Sequence, residues 1–315
     1  MKQKLNYFRL GAFIVFVVAL VFIAVKLVSN YKYKQTYEYK LLDIGYSADE
    51  IEVIESEFKD SEIDNLLKRK YNSNIVHLIS EKYFIYDRLD DYLEYLKENK
   101  VDDFSKVVSL VNTFSYVEWI DEKRDTDTEK NELMLVNRLY GLSSDYEPED
   151  IVDIPQQYAY VGKKISKSIL ENIISLIGAG KEAGYTFVVD SGYRSYKEQE
   201  SIYNSFKDSY GISEADKLVA RPGHSEYQTG LSFELVPYNK VIENPYESEE
   251  YLWLKDNAYK YGFIFRLPKE KEDITKFSSS AWRLRYVGYE AASLIHNENI
   301  SFEEYYFYFV RRDYE

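Results

Sequence analysis

Cysteine is absent from all 315 residues, which excludes a disulfide scaffold and a thiolate metal centre. The redox compartment stays open, because a Cys-free chain suits either kind. Histidine occurs at only three positions, His77, His224 and His296. Neither a His-Glu-x-x-His nor a Gly-x-Ser-x-Gly sequence occurs, so those two hydrolase signatures are missing. Positive charge is in deficit: a formal net charge of −14 argues against general binding to nucleic acid or to anionic lipid. Repeats and low-complexity tracts are lacking as well. Gly178-Ala179-Gly180-Lys181 fails as a phosphate loop, since Ser175 stands where the early glycine belongs and Glu182 follows the lysine. It reads as a turn of helix.

What is present is enough for a real core, with 45% hydrophobic and 17% aromatic residues in a chain long enough for one large or two modest domains. The 33 tyrosines supply amphipathic rings to cores and to peptide- or sugar-facing surfaces, and a lineage bias in codon use explains them equally well. One long apolar run exists: Leu10 to Val25 is unbroken, and it reaches Val28 if the Lys26 stem snorkels to an interface. No small-x-small cleavage pattern follows it, so it reads as a retained signal anchor contacting the lipid bilayer through residues 10–28. Lys2, Lys4 and Arg9 before the run are balanced by Lys26, Lys32 and Lys34 after it, so charge does not fix the orientation.

Beyond the polar spacer Ser29 to Gln35, short amphipathic helices are expected over Thr36–Ile44, from Ser47 to about Phe58, and over Ser61–Tyr71, Ile75–Ile79 and Leu89–Lys97. Ser47 and Glu50 have the spacing of a capping box. Val107–Asn112 is rich in β-branched residues and predicts a strand, and Asp121–Glu132 a charged loop. Met134–Leu139 predicts a strand, Pro148 and Pro155 an extended arm, and Lys163–Ala183 a long amphipathic helix. Tyr185–Asp190 predicts a buried strand, followed by helices over Tyr196–Tyr210 and Ser213–Leu218. Further strands are expected at Thr229–Val236 and Phe263–Arg266, with helices at Leu252–Tyr261, from Gly288 through Ile295, and near Phe302–Phe309.

The stretch that organises the chain lies between residues 191 and 234. Ser191-Gly192-Tyr193-Arg194-Ser195, with Gln199 five residues after the arginine, is followed by Ser225, Tyr227, Gly230 and Glu234. This frame resembles the VanY-like D-alanyl-D-alanine carboxypeptidases, zinc peptidases that trim the stem peptide of bacterial peptidoglycan. The family pattern downstream is Ser-x-His-x-x-Gly-x-x-x-Asp, and a later Glu-Pro-Trp-His segment matches Ser280, Ala281, Trp282 and Arg283 here, still followed by Arg285, Tyr286, Val287 and Gly288. The Trp253, Leu254, Asn257 and Ala258 run and Met134–Leu139 as an entry strand also fit it. The resemblance covers about residues 133–310 and implies an α+β fold, a small antiparallel sheet flanked by helices.

The frame persists while the chemistry it should carry has changed. A catalytic zinc site needs about three protein ligands and one open position. By the resemblance Tyr227, Glu234 and Arg283 stand at the ligand positions and Ser280 at the general base. A phenol with an ordinary pKa of about 10 is a poor zinc ligand at neutral pH. Arginine is a permanent cation with no lone pair. Glu234 displaces its carboxylate by one methylene, and a serine hydroxyl does not accept a proton from water at pH 7. No metal, and no cofactor, is therefore expected. Glu234 and Arg283 could instead pair with each other and fill the place of the ion. His224, three residues before Tyr227, is the residue a relocated metal site would need; otherwise it is a turn residue after Pro222 and Gly223.

Residues that the resemblance turns toward substrate are intact: Arg194, Gln199 and Ser225. An arginine fork suits a carboxylate, and the plainer alternative is that Arg194 braces the strand-to-helix turn. The resulting expectation is a three-part chain: a cytoplasmic stub and transmembrane anchor (1–28), a spacer with a small mostly helical module (29–130), and a VanY-like domain outside the cell membrane (131–315). Its function would be to bind peptidoglycan stem peptide or a cell-wall protein partner without hydrolysis. An active metallo-carboxypeptidase with relocated ligands, and a purely structural domain whose site is filled by Tyr227 and Arg283, are the competing readings. His77 and His296 are expected to be surface or packing residues.

Overall fold

The computed structural model describes residues 7–117, 119 and 124–311. The chain divides into two compact units, one ending at Val108 and the other beginning at Ser109.

In the first unit, α1 (Tyr7–Tyr33) contains a 24-residue stretch, Leu10–Tyr33, that is long and apolar enough to cross a membrane and has none of its residues buried. At about 1.5 Å per residue it exceeds a hydrocarbon core of about 30 Å. The helices that follow are short: α2 (Tyr37–Ile44), α3 (Ala48–Glu57), α4 (Asp60–Leu66), α5 (Ser73–Ile79) and α6 (Leu89–Asn99), and α7 (Phe104–Asn112) contains the division at Val108. Side-chain caps set their ends. Thr36 accepts from the Tyr39 N–H, and Ser47 and Glu50 cap one another's backbone reciprocally, as their spacing predicts. Leu41, Ile51, Ile54, Ile63, Leu66, Ile75, Leu78 and Tyr92 are buried and form apolar faces at helical spacing.

One expected strand is a helix. Val107–Asn112 lies in α7, because Val107, Val108, Leu110 and Val111 are buried while Ser105 and Lys106 are exposed, a helical period that outweighs β-branched propensity. The Asp103 carboxylate supports the start of that helix by accepting from the Lys106 N–H.

The second unit continues with β1 (Arg124–Asp125), β2 (Tyr140–Gly141), β3 (Ile151–Asp153), β4 (Lys164–Ser166), α8 (Lys167–Glu182), β5 (Phe187–Ser191), α9 (Tyr196–Tyr210) and α10 (Ile212–Leu218). After these come β6 (Ser232–Pro237), α11 (Glu249–Asn257), β7 (Phe263–Phe265), α12 (Glu272–Thr275), β8 (Arg283–Tyr286), α13 (Tyr289–Glu298) and α14 (Phe302–Tyr305). Four strands form an antiparallel sheet in the order β5-β6-β8-β7, and the other pairs are two-stranded. Ile169, Ile173, Leu176 and Ile177 of α8 join Phe187, Val189, Phe233, Leu235, Phe263 and Leu284 of the sheet in one core. Gly180 permits that approach, since a β-carbon there would lie 2.8 Å from the Phe187 ring. This settles Gly178–Lys181 as part of α8.

Two further expectations are corrected. Met134–Leu139 forms no strand: the Asn137 side chain accepts from the Leu139 and Tyr140 N–H groups and turns the chain, leaving only Tyr140–Gly141 paired, in parallel with β1. The long helix begins at Lys167 and not Lys163, because Lys164–Ser166 pairs with β3 and Ser166 caps the helix by accepting from the Ser168 N–H. Part of the expected 121–132 loop lies outside the described residues; the remainder holds β1 and a 3-10 turn over Thr128–Leu133.

Candidate functional site

Strand β5 delivers Ser191, and the chain then turns through Gly192 to Arg194. Glycine is required there: a β-carbon on Gly192 would stand 2.2 Å from the Lys164 carbonyl oxygen, which also accepts from the Tyr193 N–H at 2.7 Å. Ser195 and Glu198 cap α9 reciprocally and fix the other side of the turn. A 3-10 turn over Glu226–Thr229 supplies the second piece, ending at Gly230 with φ +69°, where a β-carbon would meet Ile151 Cδ1 at 2.6 Å. The Arg194 N–H donates to the Tyr227 carbonyl at 3.1 Å and ties the two pieces together.

The sheet completes the site. Glu234 of β6 lies directly opposite both Ser191 of β5 and Arg283 of β8, so the three stand in one row across the strands. Tyr227, only 3% exposed, donates its hydroxyl to Glu234 Oε1 at 2.9 Å. Two guanidinium groups lie over its ring, Arg194 at 4.1 Å and Arg283 at 4.3 Å from the centroid. The alternative of an ion pair between Glu234 and Arg283 is not realised: the carboxylate takes the phenol and the arginine stacks on the ring. Burial pushes the Tyr227 phenol well above its ordinary value, with Glu234 adding to the rise and Arg283 and Arg194 opposing it. It stays protonated at neutral pH and acts as a donor.

This donor set does not fit zinc. A protonated phenol and one carboxylate that already accepts from it are the ligand-type groups present, and two permanent cations stand over the same ring. Among the described residues no three His, Cys, Asp or Glu side chains gather in a way that could hold a metal. His224 offers no substitute at this place. It is buried, its Nδ1 donates to the Asn137 carbonyl at 2.7 Å, and its ring meets Trp119 edge-on. Ser280 is half-buried and donates its N–H to the Leu267 carbonyl.

Of the residues expected to face a ligand, Arg194 is half-buried, and its side chain donates to Ser191 Oγ at 3.3 Å. Gln199 is 2% exposed; its Nε2 donates to the Ala220 carbonyl at 2.7 Å, and its Oε1 is buried without a partner. Ser225 is also buried, at the head of the 3-10 turn. The other histidines pack as expected, His77 stacked on Phe104 and His296 on Tyr259.

Residue-type reasoning overlooked Glu226, the fully buried neighbour of Tyr227. Arg266 Nε lies 2.8 Å from Glu226 Oε2, and the terminal nitrogens of the same guanidinium fork onto Glu303. Burial alone would raise the Glu226 carboxyl, yet Arg266, Arg285 and Arg283 hold it below the usual carboxylate range. Arg285 is itself completely buried, donating to Thr229 Oγ1 and to the Glu132 and Met134 carbonyls, and burial pushes its guanidinium down to about 10. The only signal in the sequence was a glutamate inside the Ser225–Glu234 frame.

Residues 162–289 match the family model described as VanY: D-alanyl-D-alanine carboxypeptidase. The chain is 37% identical over 204 residues to the putative carboxypeptidase YodJ of Bacillus subtilis (strain 168), covering 61% of this chain and 73% of that protein. It is 32% identical over 192 residues to a D-alanyl-D-alanine carboxypeptidase of Enterococcus faecalis (strain ATCC 700802 / V583), covering 58% and 68%. Among solved structures, the LdcB LD-carboxypeptidase, described as revealing the molecular basis of peptidoglycan recognition, matches with a TM-score of 0.56 at 36% identity, over 61% of this chain and 93% of that one. By these likenesses and by the frame from Ser191 to Glu234, the chain belongs to the VanY-like D-alanyl-D-alanine carboxypeptidase family.

Proposed function

We propose that this chain is a membrane-anchored, extracytoplasmic member of its family that binds the stem peptide of peptidoglycan, alone or together with a cell-wall protein, and does not hydrolyse it. The observation that carries this reading is the contact of Tyr227 with Glu234 beneath two guanidinium groups, at the positions where the family holds its ion. A metal-activated water has nothing there to be activated by. Recognition groups remain, above all Arg194, whose fork keeps most of its donors free for a carboxylate. Gln199 lies five residues beyond it in α9, and Ser225 heads the 3-10 turn to which the Arg194 N–H is bonded. Likeness to LdcB supports peptidoglycan as the ligand class, and α1 supports an anchor with the remaining residues outside the membrane.

Titration calorimetry with a stem pentapeptide, on wild type and on Arg194→Ala, tests the binding half. Binding that the substitution abolishes is expected; equal binding in both, or none in either, defeats it. Metal analysis of the purified protein tests the other half. Stoichiometric zinc, together with release of terminal D-Ala that a chelator stops, would overturn the non-hydrolytic reading.

A further inference from the structure

We propose that Arg283 is a ligand-binding residue in its own right, forming with Arg194 a site for the free carboxylate of a peptide at the place where the family carries its metal. The inference rests on the peptide-binding reading above and adds a contact that its relatives' metal site does not contain. Three observations support it. First, the Arg283 side chain makes no hydrogen bond and no ion pair among the described residues, and its Nε is buried without a partner. A buried guanidinium nitrogen left unpaired is costly, and such groups are ordinarily matched by an acceptor. Second, the residue as a whole is half-buried, like Arg194, whose side chain has only Ser191 Oγ as a partner. Both forks are therefore largely unused and reach solvent from one ring.

Third, the charges leave a surplus of one. Glu226 and Glu303 balance Arg266 and Arg285 in the buried network beside the site. With Glu234 added, three carboxylates face the four guanidinium groups of Arg194, Arg266, Arg283 and Arg285, so one positive charge is unmatched. A single negative charge with a planar pair of oxygens satisfies both the fork geometry and the balance, which favours a carboxylate over a doubly charged phosphate. Tyr227 has the supporting role. Its ring keeps both arginines in place, and its hydroxyl keeps Glu234 from pairing with Arg283.

The test compares a short peptide ending in D-Ala-D-Ala as the free acid and as the terminal amide, by calorimetry on wild type, Arg283→Gln and Arg283→Lys. Wild type should prefer the acid by about tenfold or more, Arg283→Gln should lose most of that preference, and Arg283→Lys, which keeps the charge without the fork, should recover part of it. Full acid preference in Arg283→Gln overturns the proposal while leaving peptide binding through Arg194 intact. If wild type binds neither peptide, the peptide-binding reading fails by itself, and the site is then judged by the Arg283 Nε–H resonance during titration with acetate. A saturable shift supports the site, and an unmoved resonance overturns it. A stronger response to inorganic phosphate than to acetate overturns the assignment to carboxylates.

Discussion

The hydroxyl of Tyr227 reaches Glu234 across 2.9 Å, joining two positions that in a zinc peptidase of this family would both face the ion. The bond closes the site with a neutral donor and leaves the negative charge on the carboxylate. Its worth can be measured. Tyr227→Phe removes one partly buried bond to a carboxylate and should cost about 1–3 kcal/mol in urea unfolding. Tyr227→Ala also removes the ring on which Arg194 and Arg283 stack and should cost about 3–5 kcal/mol. Equal losses in the two variants would mean that the ring contributes nothing.

Because the native phenol titrates above its unfolded value, Tyr227 sets a pH dependence at the alkaline end. Below about pH 10 the group is protonated in both states and contributes no slope. Above that, the unfolded chain releases the proton while the native chain keeps it, so stability falls as pH rises. Wild type should therefore lose stability more steeply above about pH 10 than Tyr227→Phe, as followed by thermal unfolding across pH 9 to 11.

Glu226 predicts the opposite sign at the acid end. Its native carboxyl lies below the usual range, so the stability it contributes is fully present above about pH 4.3 and is lost as pH falls through the native value. Glu226→Gln should cost about 3–5 kcal/mol at neutral pH, because Arg266 keeps Glu303 but loses its other charged partner in a fully buried place. The same variant should show a shallower acid limb than wild type. A loss below about 1 kcal/mol would place the Arg266 charge with Glu303 alone.

How much of this was legible in the sequence depends on how local the cause is. The bounds of α9 follow from Ser195, Glu198 and Gly211, all within one turn of the ends they set, and the Ser47–Glu50 box is equally local. The changed positions Tyr227, Glu234, Ser280 and Arg283 were visible because the frame around them is intact. What they do to one another was not: an ion pair between Glu234 and Arg283 was one open alternative, and the contact made depends on how far a phenol reaches across the sheet. Val107–Asn112 misled because β-branching is a weaker determinant than the face a segment buries. The Glu226 network is illegible for a further reason. Arg266 and Glu303 lie far along the chain, and nothing in residue type marks them as its partners.

Replacing the four changed positions by the family's own residues is the most direct trial of the site. The combined variant Tyr227→His, Glu234→Asp, Ser280→Glu and Arg283→His supplies two imidazoles, a shorter carboxylate and a base, and removes the cation that opposes a metal. It should purify with zinc near one equivalent, read by elemental analysis, whereas Tyr227→His alone should not, since Arg283 would remain over the site. If the combined variant folds and still takes up no zinc, the backbone of β6 or β8 has also moved away from ligand geometry. Side-chain identity would then not be what keeps zinc from this site.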